Sequence, residues 1–212
     1  MKKKIYISLG FIIAFIAWTV AVCLVDVQPI GPRESSVGFA TINGFIHNTI
    51  GVNMTLYNIT DWLGLIPIAI MLGFAIMGIV QWIKRRKLSK VDYSLFILAG
   101  FYFVVLLAYL LFEFVVINRR PVLIEGILEA SYPSSTTMLV LCIMPTALMQ
   151  LNVRIKNTTL KKWLSVVIIA FIVFMVVGRL VSGVHWFSDI FGGALLSIGL
   201  VIMYDAVVKI KS

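Results

Sequence analysis

Six long runs of apolar residues constrain this chain more than any other feature of its sequence. They are free or nearly free of charge and extend over residues 5–25, 62–83, 93–117, 134–151, 163–178 and 187–208. A helix needs about 20 mostly apolar residues to cross the hydrocarbon core of a bilayer. The runs lack the alternation of polar and apolar residues that marks the strands of a membrane barrel. The sequence therefore predicts an all-α bundle of six transmembrane helices.

The composition favours a single integral membrane domain over residues 1–212. Hydrophobic residues make up 61% of the chain and charged residues 13%, unlike a soluble domain. Six spans would use nearly all of the 212 residues. The opening "MKKKIYISLGFIIAFIAW" has the basic start and apolar centre of a secretory signal peptide. No small-x-small cleavage site follows it, so we expect an uncleaved first span.

The positions of the basic residues predict the orientation of the helices. Fourteen of the eighteen Lys and Arg residues fall on one side of the six spans, in groups within 2–4, 84–90, 154–162 and 209–211. Basic residues concentrate in the cytoplasmic connections of membrane proteins. We therefore expect both termini in the cytoplasm. The net charge of +9 then reflects topology rather than binding to nucleic acid.

The other four basic residues are all arginines, and this topology places them on or near the outer side: Arg33, Arg119, Arg120 and Arg179. The planar guanidinium group suits bidentate contacts with phosphate or carboxylate groups. The alternative is that these side chains only reach toward the membrane surface. The outer loop, about residues 26–61, is punctuated by Pro and Gly and has apolar stretches, which favour short helices on the outer membrane surface.

Three stretches on the outer side carry residues that suit phosphate chemistry. They are "NRRP" at 118–121, "SYPSSTT" at 131–137 and "GRLVSGVHWFSD" at 178–189. In the third, Ser182 and Gly183 interrupt the helical pattern, and His185 and Asp189 are predicted to share one face of the next helix. A carboxylate at this spacing can fix the tautomer of an imidazole and leave its other nitrogen free. The alternative is a structural histidine at the membrane interface.

The second stretch predicts a helix N-terminus that faces outward. Ser134, Ser135 and Thr136 follow Pro133, and the unpaired N–H groups of such a turn attract anions. Serine, threonine and proline are also ordinary residues for a helix start. Together the three stretches favour phosphoryl transfer, in which Arg120 and Arg179 neutralise phosphate oxygens and His185 attacks phosphorus. Neither this set nor the two distant cysteines, Cys23 and Cys142, indicates a metal, and no cofactor is expected.

These motifs resemble those of the type 2 phosphatidic acid phosphatase superfamily, which are six-span lipid phosphatases with the motifs KxxxxxxRP, PSGH and SRxxxxxHxxxD. The third motif keeps the arginine, histidine and aspartate at the family spacing, with Gly178 in place of serine. The resemblance implies that His185 is the nucleophile and Asp189 its orienting partner. It also implies that Arg120, Arg179 and Ser134 bind phosphate, and we add Ser135, Thr136 and Arg119 as candidate phosphate ligands.

The sequence departs from the family at two positions. Glu113 occupies the place of the first-motif lysine and removes a positive charge, and it could pair with Arg119 or Arg120. Thr136 stands where the family has the histidine that protonates the leaving oxygen, and a hydroxyl is a poor acid near neutral pH. Loss of such an acid typically costs a factor of about 100 to 10,000 in rate. A diphosphate substrate would need less protonation, and His47 could serve as the acid if the outer loop covered the site, although nothing in its surroundings marks it.

These features predict an integral membrane lipid phosphatase with its active site at the outer face. The substrate would be a lipid phosphate or a prenyl or other lipid diphosphate in the bilayer, hydrolysed without metal through a phosphohistidine. The alternative is a catalytically impaired relative that binds, moves or regulates lipid phosphates. We expect a bacterial plasma membrane, because the chain is minimal and has no organelle-targeting extension.

Overall fold

The computed structural model describes residues 2–210, so Lys211 of the basic C-terminal group lies outside the described residues. Eight α-helices follow one another along this part of the chain. They are α1 (Lys2–Leu24), α2 (Ala40–Ile50), α3 (Met54–Leu63), α4 (Leu65–Arg85), α5 (Tyr93–Phe114), α6 (Ser135–Arg154), α7 (Thr158–Val181) and α8 (Phe187–Val208). Two single-turn 3₁₀ helices, Pro32–Glu34 and Leu88–Lys90, interrupt the connections.

Six helical segments are long and apolar enough to cross a membrane, as the sequence predicts. The second of these joins α3 to α4 as one segment, Met54–Arg85. The last, Phe187–Val208, has the bounds expected from the sequence. The fifth is longer than the predicted 163–178, because its first turn tolerates Lys161 and is capped by Asn157, whose side chain accepts a hydrogen bond from Leu160 N at 3.0 Å.

Helices α6 and α8 form the centre of the bundle. In the most apolar stretch of each span, half of the residues of α6 and 44% of those of α8 are buried, against at most 28% in the other spans. Small residues allow this close packing, since a Cβ at Gly193 would lie 3.2 Å from Ser134 O at the start of α6. Helix α1 packs along α8, where Ser8 Oγ donates to Gly199 O at 2.7 Å.

The two ends of the bundle differ in charge. At one end lie the basic groups, where Lys4 and Lys209 pair with Asp205 and Arg154 lies 3.8 Å from Asp92. We call this the basic end. The opposite end carries the long connections between α1 and α3 and between α5 and α6, and the short connection between α7 and α8. All three polar motifs of the sequence lie at or beside the last two of these connections.

The connections at this opposite end pack against the helices. In the α1–α3 connection, Asn43 of α2 is buried and joins Ser188 of α8 through two hydrogen bonds of 2.9 and 3.1 Å. The α5–α6 connection folds into a hairpin turn closed by two backbone hydrogen bonds between Ile124 and Ile127. Glu125 and Gly126 at the tip of this turn both have positive φ.

Candidate active site

His185 lies in the tight connection between α7 and α8. The turn depends on Gly183, whose φ is +68° and where an added Cβ would lie 2.0 Å from Gly51 O. His185 itself is only 3% exposed. The sequence-based expectation that it begins α8 is wrong, because α8 starts at Phe187 and Trp186 is its N-cap. His185 therefore precedes the helix and is held by the backbone of the turn.

The two ring nitrogens of His185 have different surroundings. Nε2 lies 3.3 Å from Arg120 Nη1 and 3.2 Å from Arg179 Nη2. A guanidinium group can only donate, so Nε2 is the acceptor and the ring proton belongs on Nδ1. Burial, followed by the positive charges of the two arginines, lowers the pKa of His185 well below its ordinary value. The site thus contains a neutral imidazole with its Nε2 lone pair directed at two cations.

Asp189 supports the turn more directly than it supports the ring. Its Oδ2 accepts a hydrogen bond from Trp186 N at 2.9 Å, and Asn118 Nδ2 lies 3.2 Å from its Oδ1. His185 Nδ1 is 3.7 Å from Asp189 Oδ2, beyond hydrogen-bond distance. The expected pairing on one helical face is therefore replaced by a capping arrangement. Asp189 fixes the start of α8, and its carboxylate lies just beyond the protonated side of the imidazole.

Both arginines beside His185 are buried and contact a third element, α3. The ring of Tyr57 lies 4.9 Å from the guanidinium carbon of Arg179 and 5.8 Å from that of Arg120, close enough for cation–π attraction. Arg179 Nη1 also lies 3.4 Å from Thr60 Oγ1. The Nε of Arg179 is buried and finds no acceptor among residues 2–210. An unpaired buried donor beside a histidine suits an anionic ligand.

A carboxylate on the rim accompanies each arginine. Asp61 Oδ1 lies 3.5 Å from Arg179 Nη1, and Glu129 Oε2 lies 2.9 Å from Arg120 Nε. The side chains of Asp61 and Glu129 are 56% and 40% exposed, whereas that of Arg179 is 1% exposed. A phosphate that entered the site would therefore compete with two solvent-facing carboxylates for the same cations.

The N-terminus of α6 reaches the site through Ser134 and Ser135. Ser134 is buried, its N–H donates to Asp189 O at 3.1 Å, and its Oγ accepts from Thr137 Oγ1 at 3.0 Å. Ser135 lines a cavity of about 20 Å³ together with Glu113 and His185, which is room for one water molecule. The cavity also borders on Ser131, whose side chain is buried.

Three other residues of the sequence motifs form no hydrogen bond or ion pair with His185 within residues 2–210. Arg119 is exposed and donates from Nη1 to Leu128 O at 2.9 Å, and its carbonyl accepts from Trp186 Nε1. The Thr136 methyl group lies beside Gly64, at the junction of α3 and α4. Glu113 makes none of the ion pairs found within residues 2–210, so the pairing with Arg119 or Arg120 that the sequence suggested is not observed.

His47 lies closer to the site than its sequence surroundings indicated. Its ring centroid is 5.4 Å from that of Trp186, the residue after His185. Burial lowers the pKa of His47 below its ordinary value, so the ring is neutral at neutral pH. A neutral imidazole is a weaker proton donor than an imidazolium. His47 packs against the turn that carries His185, and its lowered pKa makes it a poorer candidate for the acid.

Sequence reasoning missed the contribution of α3 and of two loop residues. Tyr57, Thr60 and Asp61 share a helical face at i, i+3 and i+4, but their stretch "YNITD" matches no motif that would mark a binding site. The roles of Asn118 and Glu129 were also not predicted. Asn118 meets Asp189 from a distant part of the chain, and Glu129 meets Arg120 only because the α5–α6 connection folds back as a hairpin. Within residues 2–210 there is no group of three or more His, Cys, Asp and Glu that could hold a metal ion.

Comparison with known proteins places this arrangement in context. Residues 97–211 match the model of the PAP2 superfamily, and this region contains all three motifs. The structure is similar to the crystal structure of a transmembrane PAP2-type phosphatidylglycerolphosphate phosphatase from Bacillus subtilis, with a TM-score of 0.63 over 94% of each chain and 19% sequence identity. That similarity shows a shared fold. No curated protein matches the chain.

Proposed function

Because this chain belongs to the PAP2 superfamily, we propose that it is a membrane lipid phosphatase that removes phosphate from a lipid phosphate or lipid diphosphate headgroup through a phosphohistidine. Family membership and the shared fold support lipid phosphate hydrolysis in general. The assignment of individual residues is our own. The observation that carries it is the meeting of two buried guanidinium groups at the Nε2 atom of a neutral, buried histidine.

The proposed reaction begins when a phosphate group enters between the arginines and the imidazole. Arg120 and Arg179 would exchange their contacts with Nε2 for contacts with phosphate oxygens, and the unpaired Arg179 Nε would gain an acceptor. Nε2 then attacks phosphorus as the bond to the leaving oxygen breaks. The ring keeps its proton on Nδ1 and becomes positively charged, and the nearby Asp189 carboxylate stabilises that charge.

Water then hydrolyses the phosphohistidine. Its oxygen forms a bond to phosphorus, the bond between phosphorus and Nε2 breaks, and inorganic phosphate leaves with the neutral histidine restored. The cavity that Glu113, Ser135 and His185 share could hold such a water. The guanidinium groups neutralise negative charge in both steps, which is the main task of a protein in phosphoryl transfer.

The nature of the leaving group bears on the substrate. The methyl side of Thr136 packs near Gly64, and a neutral His47 is poorly suited to donate a proton. When Nε2 attacks the terminal phosphorus of a lipid diphosphate, the group that leaves is the lipid monophosphate. It is a weaker base than an alkoxide and needs less protonation. We therefore favour lipid diphosphates, such as prenyl diphosphates, over monophosphate esters.

The membrane face follows from charge. The site lies at the end of the bundle opposite the basic end, and basic connections favour the cytoplasmic side. We propose that both termini are cytoplasmic and that the site opens at the outer face of a bacterial plasma membrane.

A second candidate function is supported by the residues at positions 113 and 136. A protein with Glu113 and Thr136 in place of lysine and histidine could bind, move or regulate lipid phosphates without turning them over. The same two arginines would then serve as the binding site. The oriented neutral histidine favours the enzyme, since binding alone has no need of a nucleophile.

Phosphate release by the purified protein distinguishes the two. A panel of lipid mono- and diphosphates is tested with the wild type and with His185→Ala, and His47→Ala serves as the matched control because it removes the chain's other histidine. We expect turnover by the wild type and His47→Ala and none by His185→Ala. Turnover that survives His185→Ala would refute the nucleophile, and binding without turnover by the wild type would establish the second function.

A further inference from the structure

A large groove separates α4 from α5 near the basic end of the bundle. It has a volume of about 510 Å³, many times what one water molecule requires. We call it the α4–α5 groove, and its walls include Met71, Gly78 and Trp82 from α4 and Leu95 and Phe103 from α5. Apart from the Trp82 indole N–H and the Tyr102 hydroxyl, every lining side chain is apolar. Such a wall suits a hydrocarbon chain.

The groove has the length of one leaflet. Met71 and Trp82 mark its extent along α4, and eleven steps of 1.5 Å give about 17 Å. That is roughly half of the 30 Å hydrocarbon core of a bilayer. At the basic end the two helices are tied together, because Asp92 N donates to Gln81 Oε1 at 2.9 Å and Gln81 Nε2 donates to Asp92 Oδ2 at 2.7 Å. The groove therefore begins beside this tie and extends toward the bilayer midplane.

The turn next to the groove carries an excess of positive charge. Five basic residues lie within the seven positions 84–90, and all are exposed: Lys84, Arg85, Arg86, Lys87 and Lys90. The nearest acidic residue along the chain, Asp92, is paired with Arg85 at 2.9 Å. A basic cluster at the end of a transmembrane helix attracts anionic lipid headgroups. Leu88, within the same turn, lines the groove and links the two features.

We propose that the α4–α5 groove binds an acyl chain of an anionic phospholipid whose headgroup lies against the basic turn at residues 84–90. The site lies at the end of the bundle opposite His185 and shares no residue with the candidate active site. It is independent of the proposed phosphatase activity. An acyl chain can lie close to the backbone of α4 at Gly78, because this residue has no side chain and a Cβ added there would meet nothing within 4 Å.

Native mass spectrometry of the full chain in detergent tests this site. Equal amounts of phosphatidylglycerol and phosphatidylcholine with identical acyl chains are offered, and the bound lipid is identified by mass. We expect a preference for phosphatidylglycerol. The triple variant Lys84→Gln, Arg86→Gln, Lys87→Gln should lose at least about fivefold of that preference, since one basic residue near a headgroup contributes roughly that factor.

Two matched controls separate this site from general lipid adhesion. Lys156→Gln, Lys161→Gln, Lys162→Gln removes the same charge from another turn of the basic end and should leave the preference unchanged. Gly78→Leu fills the groove and should reduce retention of either lipid severalfold, whereas Gly73→Leu, on the same helix but outside the groove, should not. Equal losses in both triple variants, or full retention by Gly78→Leu, would overturn the proposal. Elution volume on size exclusion verifies that each variant is folded.

Discussion

Gly178 stands where the family has serine, and the structure supplies a steric reason. A Cβ at this position would lie 2.9 Å from Thr60 Cγ2. Thr60 has little freedom to move away, because its β-branched side chain is stiff and its Oγ1 donates to the carbonyls of Leu56 and Tyr57. The glycine therefore lets α3 approach α7 and bring Tyr57 onto the arginines.

We expect Gly178→Ser to destabilise the protein by about 1–3 kcal/mol through overpacking, and to lower turnover by displacing α3 from Arg179. Thermal unfolding and phosphate release measure the two effects. Thr60→Ser removes the crowded methyl group but keeps the hydroxyl, so the double variant should recover most of both losses. If Gly178→Ser is as stable as the wild type, the crowding argument is wrong.

The leaving-group argument makes a prediction about Thr136. Thr136→His introduces an imidazole at the position from which relatives donate a proton to the leaving oxygen. The gain in turnover should be larger on lipid monophosphates, up to about 100-fold, than on diphosphates, whose leaving group needs less protonation. Initial rates on a pair of substrates with the same lipid chain give the comparison. Equal gains on both substrates would refute the preference for diphosphates.

The surroundings of His185 predict how activity depends on pH. Burial and two nearby arginines lower the pKa of His185, so the nucleophile stays neutral, and active, as the pH falls through the ordinary histidine value of about 6.5. The acid limb of kcat/KM should therefore lie well below that value. The same shift makes the stability of the fold depend on pH. Below about pH 6.5 the unfolded chain binds a proton on this histidine that the folded site resists, so the free energy of unfolding decreases. An acid limb near 6.5 would contradict this environment for His185.

At the scale of elements, the six membrane-spanning segments predicted from apolar runs are right in number but not always in extent. Residues 187–208 form a helix as predicted, because Trp186 and Asp189 cap its start within the same stretch of sequence. Helix α7 extends beyond its uncharged run, since lysines in the first turn of a span can reach toward the membrane surface. Helix α3 could not be predicted as part of the site, because its polar face is explained only by the arginines it meets.

The position of Asp61 on α3 predicts how its removal changes the KM for the substrate. Asp61→Asn removes the carboxylate that competes with phosphate for Arg179. Exposed ion pairs contribute at most about 1 kcal/mol, so KM should fall by up to about fivefold while kcat changes little. Glu125→Gln is the matched control, because it removes the same charge from the exposed hairpin tip. A KM that rises in Asp61→Asn would mean that the carboxylate positions Arg179 instead.

At the scale of the whole molecule, the topology alone brought three distant stretches to one end of the bundle, and the structure places Arg120, Arg179 and His185 together there. The sequence could indicate this because the alternation of basic and polar connections reports which loops share a side. It could not indicate which way each side chain turns. Arg119 and Arg120 are neighbours in sequence, yet only Arg120 reaches His185, because Arg119 turns toward the hairpin and donates to Leu128 O.

Orientation in the membrane can be measured by labelling with an impermeant maleimide. In a background with Cys23→Ser and Cys142→Ser, we expect Glu125→Cys to react in intact cells, because the hairpin tip is exposed at the end that carries the site. Lys87→Cys, at the basic end, should react only after the membrane is opened. The reverse pattern would place the site in the cytoplasm and refute the proposed outer face.

The contacts between the arginines and His185 Nε2 have one more consequence for the resting protein. Histidine nitrogens commonly capture stray transition-metal ions, which would silence a nucleophile. Here any such cation would have to displace two positively charged groups from a site that is almost closed to solvent. An incoming phosphate faces the opposite situation, since the same two groups attract it. The two arginines therefore disfavour a cation at His185 Nε2 and favour a phosphate anion there.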